Sequence, residues 1–167
     1  PLIWDDDGSP DGTIALLYFL QHPSISVEAI TVSCGEAHPD LFAAQLTRML
    51  TRLDRTDIPV AAGRSTPLQG DNAFPDPWRE ASDEFWWLDL PAAGVDVQPE
   101  TAGELIVEVV NASPEPVTVF VSGTHTNLAE ALRLDPSIAE NIAVVSVMGG
   151  ALYISGNIAN DWPDIPN

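Results

Sequence analysis

Two kinds of apolar pattern alternate along this chain. Short, almost continuously apolar runs predict five strands, over residues 2–4, 27–33, 58–62, 117–122 and 142–148. Between them, apolar residues three and four positions apart predict four helices, over residues 11–22, 39–53, 101–111 and 127–134. Apolar strands separated by helices indicate a mostly parallel sheet with helices on both faces. The pattern therefore predicts a single α/β domain over residues 1–167.

The predicted helices carry recognisable end signals. Thr101 and Asn127 are each followed three positions later by a glutamate, a pattern typical of a capping box at a helix start. His22 precedes Pro23, which predicts that it lies at the end of the first helix.

One long segment, at about residues 64–100, interrupts the alternation. It is rich in proline and aspartate and carries Trp78, Phe85, Trp86 and Trp87. Loops of this length in a compact domain are usually functional or mobile. The aromatic side chains can stack on a flat ligand, fill a hydrophobic lid or form a subunit contact. We expect the tryptophans to lie near the mouth of a pocket or at such a contact.

The chain is strongly acidic, with a net charge of −19 over 167 residues, and its six basic residues are all arginines. This balance argues against binding to nucleic acid or to an anionic membrane surface. It suits a neutral or cationic substrate, a metal ion, or a high-salt or acidic setting. No apolar stretch is long enough to span a membrane, and we expect a cytoplasmic protein. Cys34 is the sole cysteine, which excludes an internal disulfide.

The first strand runs into three consecutive aspartates, Asp5, Asp6 and Asp7, and Asp11 follows a short turn. Carboxylates crowded at a strand end repel one another unless a cation or the hydroxyl groups of a substrate lie among them. A solvated turn with Asp11 as the helix N-cap is the simpler interpretation. The position favours a ligand site, because open α/β sheets bind ligands at the carboxyl ends of their strands.

Polar residues also follow the other predicted strands, at residues 33–36, 122–127 and 148–150. Each group by itself is typical of ordinary turns and caps. Together they would meet at one edge of a parallel sheet, and we interpret that edge as the active site. His38 lies at its predicted rim, and His125 either faces the pocket or serves the start of a helix.

Four motifs in this order resemble those of a known family. Asp5, Asp7 and Asp11 fit three positions of D-x-D-x-x-x-D-D, and Gly12 stands at the fourth. The other segments are T-D-I-P-V-A-A-G (56–63), V-S-G-T-H-T-N-L-A-E-A-L (121–132), and V-V-S-V-M-G-G (144–150) with Gly156-Asn157. The chain resembles the inosine-uridine preferring nucleoside hydrolases.

The resemblance implies a Rossmann-like fold and hydrolysis of the N-glycosidic bond of a ribonucleoside by a Ca²⁺-bound water. It implies that Asp7, Asp5 and the backbone carbonyl of Ser122 bind the Ca²⁺. Asp11 would be catalytic, activating the water and handling the ribose hydroxyls. Further substrate contacts are expected from Glu36, His38 and Asn157.

The chain also departs from the family pattern. Gly12 replaces an aspartate that binds calcium in the family, and Glu36 replaces an asparagine near the ribose. The family continues for about as many residues again. We therefore expect residues 1–167 to be the N-terminal part of a larger domain, completed by the same gene product or by a second polypeptide, in a homo-oligomer.

Two alternative functions stay open at this point. A degenerate family member would bind a ribose-like ligand without turnover, as the changes at Gly12 and Glu36 permit. A haloacid dehalogenase-type phosphatase would use Asp5 as nucleophile and Asp7 as acid and base. Such an enzyme needs a cationic group for the phosphoryl oxygens, and the absence of lysine and the net charge of −19 oppose it.

Overall fold

Five parallel strands form one sheet in the order β3-β2-β1-β4-β5. A computed structural model describes residues 1–70, 74–150 and 153. The strands are β1 (Leu2–Asp6), β2 (Val27–Val32), β3 (Val60–Ala62), β4 (Val117–Val121) and β5 (Ile142–Val147). The predicted strands and the parallel α/β class are confirmed.

Helices cover both faces of this sheet. They are α1 (Pro10–Gln21), α2 (Pro39–Arg52), α3 (Asp76–Asp83), α4 (Ala102–Ala112) and α5 (Thr126–Leu134). Trp4 and Ile30 pack with Leu16 of α1 and Phe42 of α2 in a core on one face. Ile3 packs with residues of α4 and α5 in a core on the other face. Every residue of β1 is buried, because this central strand lies between both helical layers.

The strand order reverses next to β1. The chain adds β2 and β3 on one side of β1 and then returns to add β4 and β5 on the other side. The helices that follow β1 and β4 therefore cover opposite faces of the sheet, with Leu16 of α1 in one core and Ala131 of α5 in the other. Ligand sites of open α/β sheets lie at such switch points.

The predicted loop at residues 64–100 contains helical structure that the sequence pattern did not predict. α3 starts after Pro75, and a short 3-10 turn follows at Phe85–Trp87. The three residues of this turn have positive φ angles of 49°, 53° and 59°, a left-handed backbone that is costly for residues with side chains. Phe85 is buried against Phe42 of α2, with ring centroids 5.4 Å apart. Burial of this ring offsets the local cost.

The helix starts confirm one capping prediction and correct another. Thr101 and Glu104 form the expected capping box at the start of α4. α5 instead begins at Thr126 after His125, with no side-chain cap, because the Asn127 side chain is used elsewhere. Ser9, not Asp11, is the N-cap of α1, and its Oγ accepts a hydrogen bond from Gly12 N at 3.0 Å.

The outer strand β5 presents an apolar surface. Val144, Val145 and Val147 of β5 are 41–54% exposed, and Met148, directly after the strand, is 53% exposed. None of the helices in residues 1–70 and 74–150 has the length and hydrophobicity required to cross a bilayer.

Candidate active site

The loop after β1 is anchored to the ends of both neighbouring strands. Ser33 N donates to Asp6 O at 2.7 Å on the β2 side, and Ser122 N donates to Asp5 O at 2.9 Å on the β4 side. Ala37 N also donates to Asp7 O at 2.7 Å. These backbone contacts place the three aspartates at the switch point of the sheet, where the sequence predicted a site.

Asp5 lies near the carboxyl end of β1 and is completely buried. Its Oδ1 accepts hydrogen bonds from Thr31 Oγ1 at 2.7 Å and from Asn127 Nδ2 at 2.8 Å. Asp5 Oδ2 and Asn127 Oδ1 are buried without a hydrogen-bond partner. Burial raises the pKa of Asp5 to about 7, although the two hydrogen bonds oppose that shift. The metal-binding role expected for Asp5 stays a prediction, since one oxygen already serves this network.

Asp6 points toward the start of α1, on the opposite face from Asp5. Its Oδ1 accepts from Gly8 N at 2.8 Å and from Ser9 N at 3.0 Å. Its Oδ2 accepts from Ser122 Oγ at 2.6 Å and from Ser9 Oγ at 3.2 Å. Burial raises the pKa of Asp6, and these four hydrogen bonds act in the opposite direction. Asp6 thus ties the acidic loop both to α1 and to the end of β4.

Asp7 is buried in a cradle formed by two glycines. A Cβ atom at Gly35 would lie 2.5 Å from Asp7 Cβ, and one at Gly123 would lie 2.6 Å from Asp7 N, so no side chain fits at either position. Asp7 Oδ2 accepts a hydrogen bond from Glu36 N at 3.3 Å. Burial, with the charges of Asp6 and Glu36, raises the pKa of Asp7 to about 8. A positive charge nearby would therefore favour the ionised form of Asp7.

The segment that follows β3 forms one rim of the site. Ser82 Oγ donates to Glu36 Oε1 at 3.0 Å. His38 N donates to Asp83 Oδ1 at 2.7 Å, and His38 Nδ1 lies 2.7 Å from Asp83 Oδ2. These contacts fix the end of α3 against the loop between β2 and α2. Half-buried Glu36 has a raised pKa because of its burial and the charges of Asp11 and Asp6.

The other predicted site residues are distributed as follows. Asp11 is exposed in the first turn of α1, and its charge contributes to the raised pKa of Glu36. Ser122 lies against Asp6, and exposed His125 forms the start of α5. Asn157 lies outside the described residues. Trp86 packs at the Phe42 ring with a centroid distance of 5.9 Å, whereas Trp87 is 70% exposed.

The fit of this site to a metal ion is partial. Among the residues described, no three His, Cys, Asp or Glu side chains converge on a point where they would hold a metal. The donor chemistry nevertheless suits a hard cation at Asp7, because the nearby groups are carboxylate, hydroxyl and carbonyl oxygens. Gly12 contributes no side chain. The metal-binding roles expected for Asp7 and Ser122 stay predictions.

These raised pKa values predict how the stability of the metal-free protein depends on pH. The folded-state values of about 7 for Asp5 and about 8 for Asp7 exceed the usual carboxyl value of 3.8. The unfolded chain therefore loses its protons first as the pH rises. Each such group lowers the free energy of unfolding by about 1.4 kcal/mol per pH unit between its two pKa values.

We expect chemical denaturation in the presence of a chelator to show higher stability at pH 5 than at pH 8. Asp7→Asn should reduce the slope of this profile, because one of the titrating groups is removed. A stability that increases from pH 5 to pH 8 would contradict the electrostatic description of the loop.

Asp6, Asn127, Thr31 and Ser82 are site residues that sequence reasoning did not assign. The sequence places Asp6 only within an acidic run and predicts that Asn127 caps a helix. In the structure, Asp6 accepts a hydrogen bond from Ser122, and Asn127 donates one to Asp5. No local sequence signal identifies such partners.

The fold and this loop define a class: a Rossmann-like α/β protein with a cluster of buried carboxylates at its switch point. Residues 2–164 match the model of the inosine-uridine preferring nucleoside hydrolase family. The chain belongs to that family, as the sequence motifs predicted.

Relatives of known sequence and structure agree with this assignment. The chain is 39% identical over 155 residues to the pyrimidine-specific ribonucleoside hydrolase RihA of Citrobacter koseri, covering 91% of this chain and 48% of the relative. The plant nucleoside hydrolase PpNRh1 matches with a TM-score of 0.82 and 27% identity, over 94% of this chain and 50% of that one. The purine-preferring ribonucleoside hydrolase from Gardnerella vaginalis matches with a TM-score of 0.81 and 26% identity, over 94% and 51%. The chain thus spans about half the length of these relatives.

Proposed function

We propose that the whole protein hydrolyses the N-glycosidic bond of ribonucleosides. The observation that carries the proposal is the buried carboxylate cluster at the switch point of the sheet, in a chain that matches the family over residues 2–164. Cleavage of this bond passes through a transition state with oxocarbenium character. Carboxylates held in such a buried cluster would stabilise that positive charge electrostatically.

Asp11 is the proposed catalytic base. It is exposed in the first turn of α1, directly after the acidic loop, where it can accept a proton from an attacking water. Glu36 and His38 are proposed to orient the substrate from the rim, held in place by Ser82 and Asp83. Asn157 remains a proposed ribose contact from the sequence motif alone.

The proposed metal ion is Ca²⁺, held by Asp7 and the backbone carbonyl of Ser122, with Asp5 as the further predicted ligand. When bound, such an ion acidifies a coordinated water. Its charge would also favour the ionised form of Asp7. The hydrogen bond that Asp7 Oδ2 accepts from Glu36 N at 3.3 Å supports an orientation of the side chain suited to this task.

We also propose that the rest of the family fold, supplied by the same gene product or by a second polypeptide, packs on β5. The exposed valines of β5 and the twofold greater length of the relatives support this. An uncovered parallel edge strand with an apolar surface favours aggregation. Size-exclusion chromatography with mass spectrometry of the purified protein will show whether the covering segment is part of one chain or a second polypeptide, and whether the assembly is a homo-oligomer.

The function is tested by incubating the full-length protein with uridine, cytidine, inosine and adenosine and measuring released ribose. p-Nitrophenyl riboside and p-nitrophenyl phosphate separate glycosidase from phosphatase activity. We expect free base and ribose, with no hydrolysis of the phosphate ester. Calorimetric binding of a nucleoside without release of ribose would instead establish a degenerate binding protein, the alternative that Gly12 favours.

A further inference from the structure

The side chain of Asp6 fills the space beside Gly12. A Cβ atom at position 12 would overlap Asp6 Oδ2, and it would lie only 2.5 Å from Asp6 Cγ and 2.7 Å from Ser9 Oγ. Both neighbours are held by hydrogen bonds, so neither can swing aside without losing contacts. Gly12 is therefore the residue that fits while Asp6 keeps this position.

The Asp6 carboxylate also connects the loop after β1, the start of α1 and the end of β4. Its four hydrogen bonds reach the loop after β1, the N-cap of α1 and the hydroxyl of Ser122 at the end of β4. The shortest, 2.6 Å, joins it to Ser122, the residue whose carbonyl is a proposed Ca²⁺ ligand. Asp7 follows it directly in the chain.

We propose that Asp6 and Gly12 are a compensating pair, in which β1 supplies the carboxylate that an aspartate at position 12 would supply from α1. The negative charge beside Asp7 and Ser122 is then retained, although the side chain comes from a different element. The inference rests on the proposed function, because the carboxylate matters there for Ca²⁺ binding. Asp6 acts as a positioning and charge-supplying residue of the cation site.

A double-mutant cycle tests the pairing. The variants are Asp6→Ser, Gly12→Asp and the two combined, all in the full-length protein. In the presence of a chelator, we expect Gly12→Asp alone to lower Tm strongly, because its side chain collides with Asp6. Asp6→Ser in the same molecule removes the collision and should restore at least half of that loss. Coupling of this kind is typical of residues in direct contact.

Calcium affinity, measured by calorimetry, is the second readout. We expect Asp6→Ser to weaken Ca²⁺ binding at least tenfold and the double variant to return within about threefold of the parent protein. Asp6→Asn keeps the shape of the side chain and removes its charge, so it replaces Asp6→Ser in this measurement if the serine variant does not fold. We expect Asp6→Asn to weaken Ca²⁺ binding as strongly as Asp6→Ser.

Gly35→Asp is the matched control, because a side chain at position 35 collides with Asp7 rather than Asp6. Asp6→Ser should not rescue it. Additive effects of Asp6→Ser and Gly12→Asp on Tm would overturn the proposal, and so would a Ca²⁺ affinity that neither Asp6 variant changes. If the cycle and the affinities behave as expected but no nucleoside is hydrolysed, the proposed function is wrong and the pairing stands.

Discussion

Asp11→Asn should lower kcat for nucleoside hydrolysis by roughly a thousandfold, because a positioned general base contributes about 10² to 10⁴ in rate. Asparagine keeps the size of the side chain and removes its ability to accept the proton of the water. Asp11 is exposed, so we expect the fold to tolerate the change. Steady-state kinetics and thermal unfolding of the same preparation measure both quantities.

Asp40→Asn is the matched control for this experiment. Asp11 and Asp40 each follow a proline in the first turn of a helix, and both are exposed. Each substitution removes a favourable interaction with its helix dipole, worth about 0.3–1 kcal/mol. Only Asp11→Asn should affect kcat. Equal rate losses in the two variants would show that Asp11 acts through the helix and not on the substrate.

Asn127→Asp should destabilise the protein by roughly 2–4 kcal/mol at pH 8, the range for a buried charge without its partner. The change removes the amide that donates to Asp5 Oδ1 at 2.8 Å, and it places a second carboxyl beside one that is completely buried. At pH 5 the loss should be smaller, because a protonated carboxyl at position 127 can donate to Asp5. Denaturant unfolding at both pH values measures the difference.

Asn111→Asp is the matched control, because it replaces an amide that donates to an aspartate at the surface. Asn111 Nδ2 donates to Asp135 Oδ2 at 3.0 Å in an exposed position. Water screens the resulting pair of carboxylates, so we expect a much smaller loss of stability than for Asn127→Asp, at either pH. A similar loss in both variants would show that burial of Asp5 does not set the effect.

The unpredicted part of the long segment illustrates a limit of local patterns. The aromatic cluster indicated that residues 64–100 have a special role, but not that α3 forms there or that Ser82 reaches Glu36. These features depend on contacts with the surface of α2. Phe85 packs against Phe42 there, and Arg48 donates hydrogen bonds to the carbonyls of Leu90 and Pro91. A short polar helix such as α3 depends on tertiary contacts for its stability.

The sequence by itself determined the alternation of strands and helices, the parallel sheet, the family and the acidic strand end, because each depends on local spacing or on contiguous motifs. The tertiary structure alone decided the strand order, the hydrogen-bond partners of each aspartate and the close approach of Asp6 to Gly12. Asp5 meets Asn127 across 122 positions, and Asp6 meets Ser122 across 116. Contacts at such separations arise only when β4 pairs with β1, and no local periodicity contains that information.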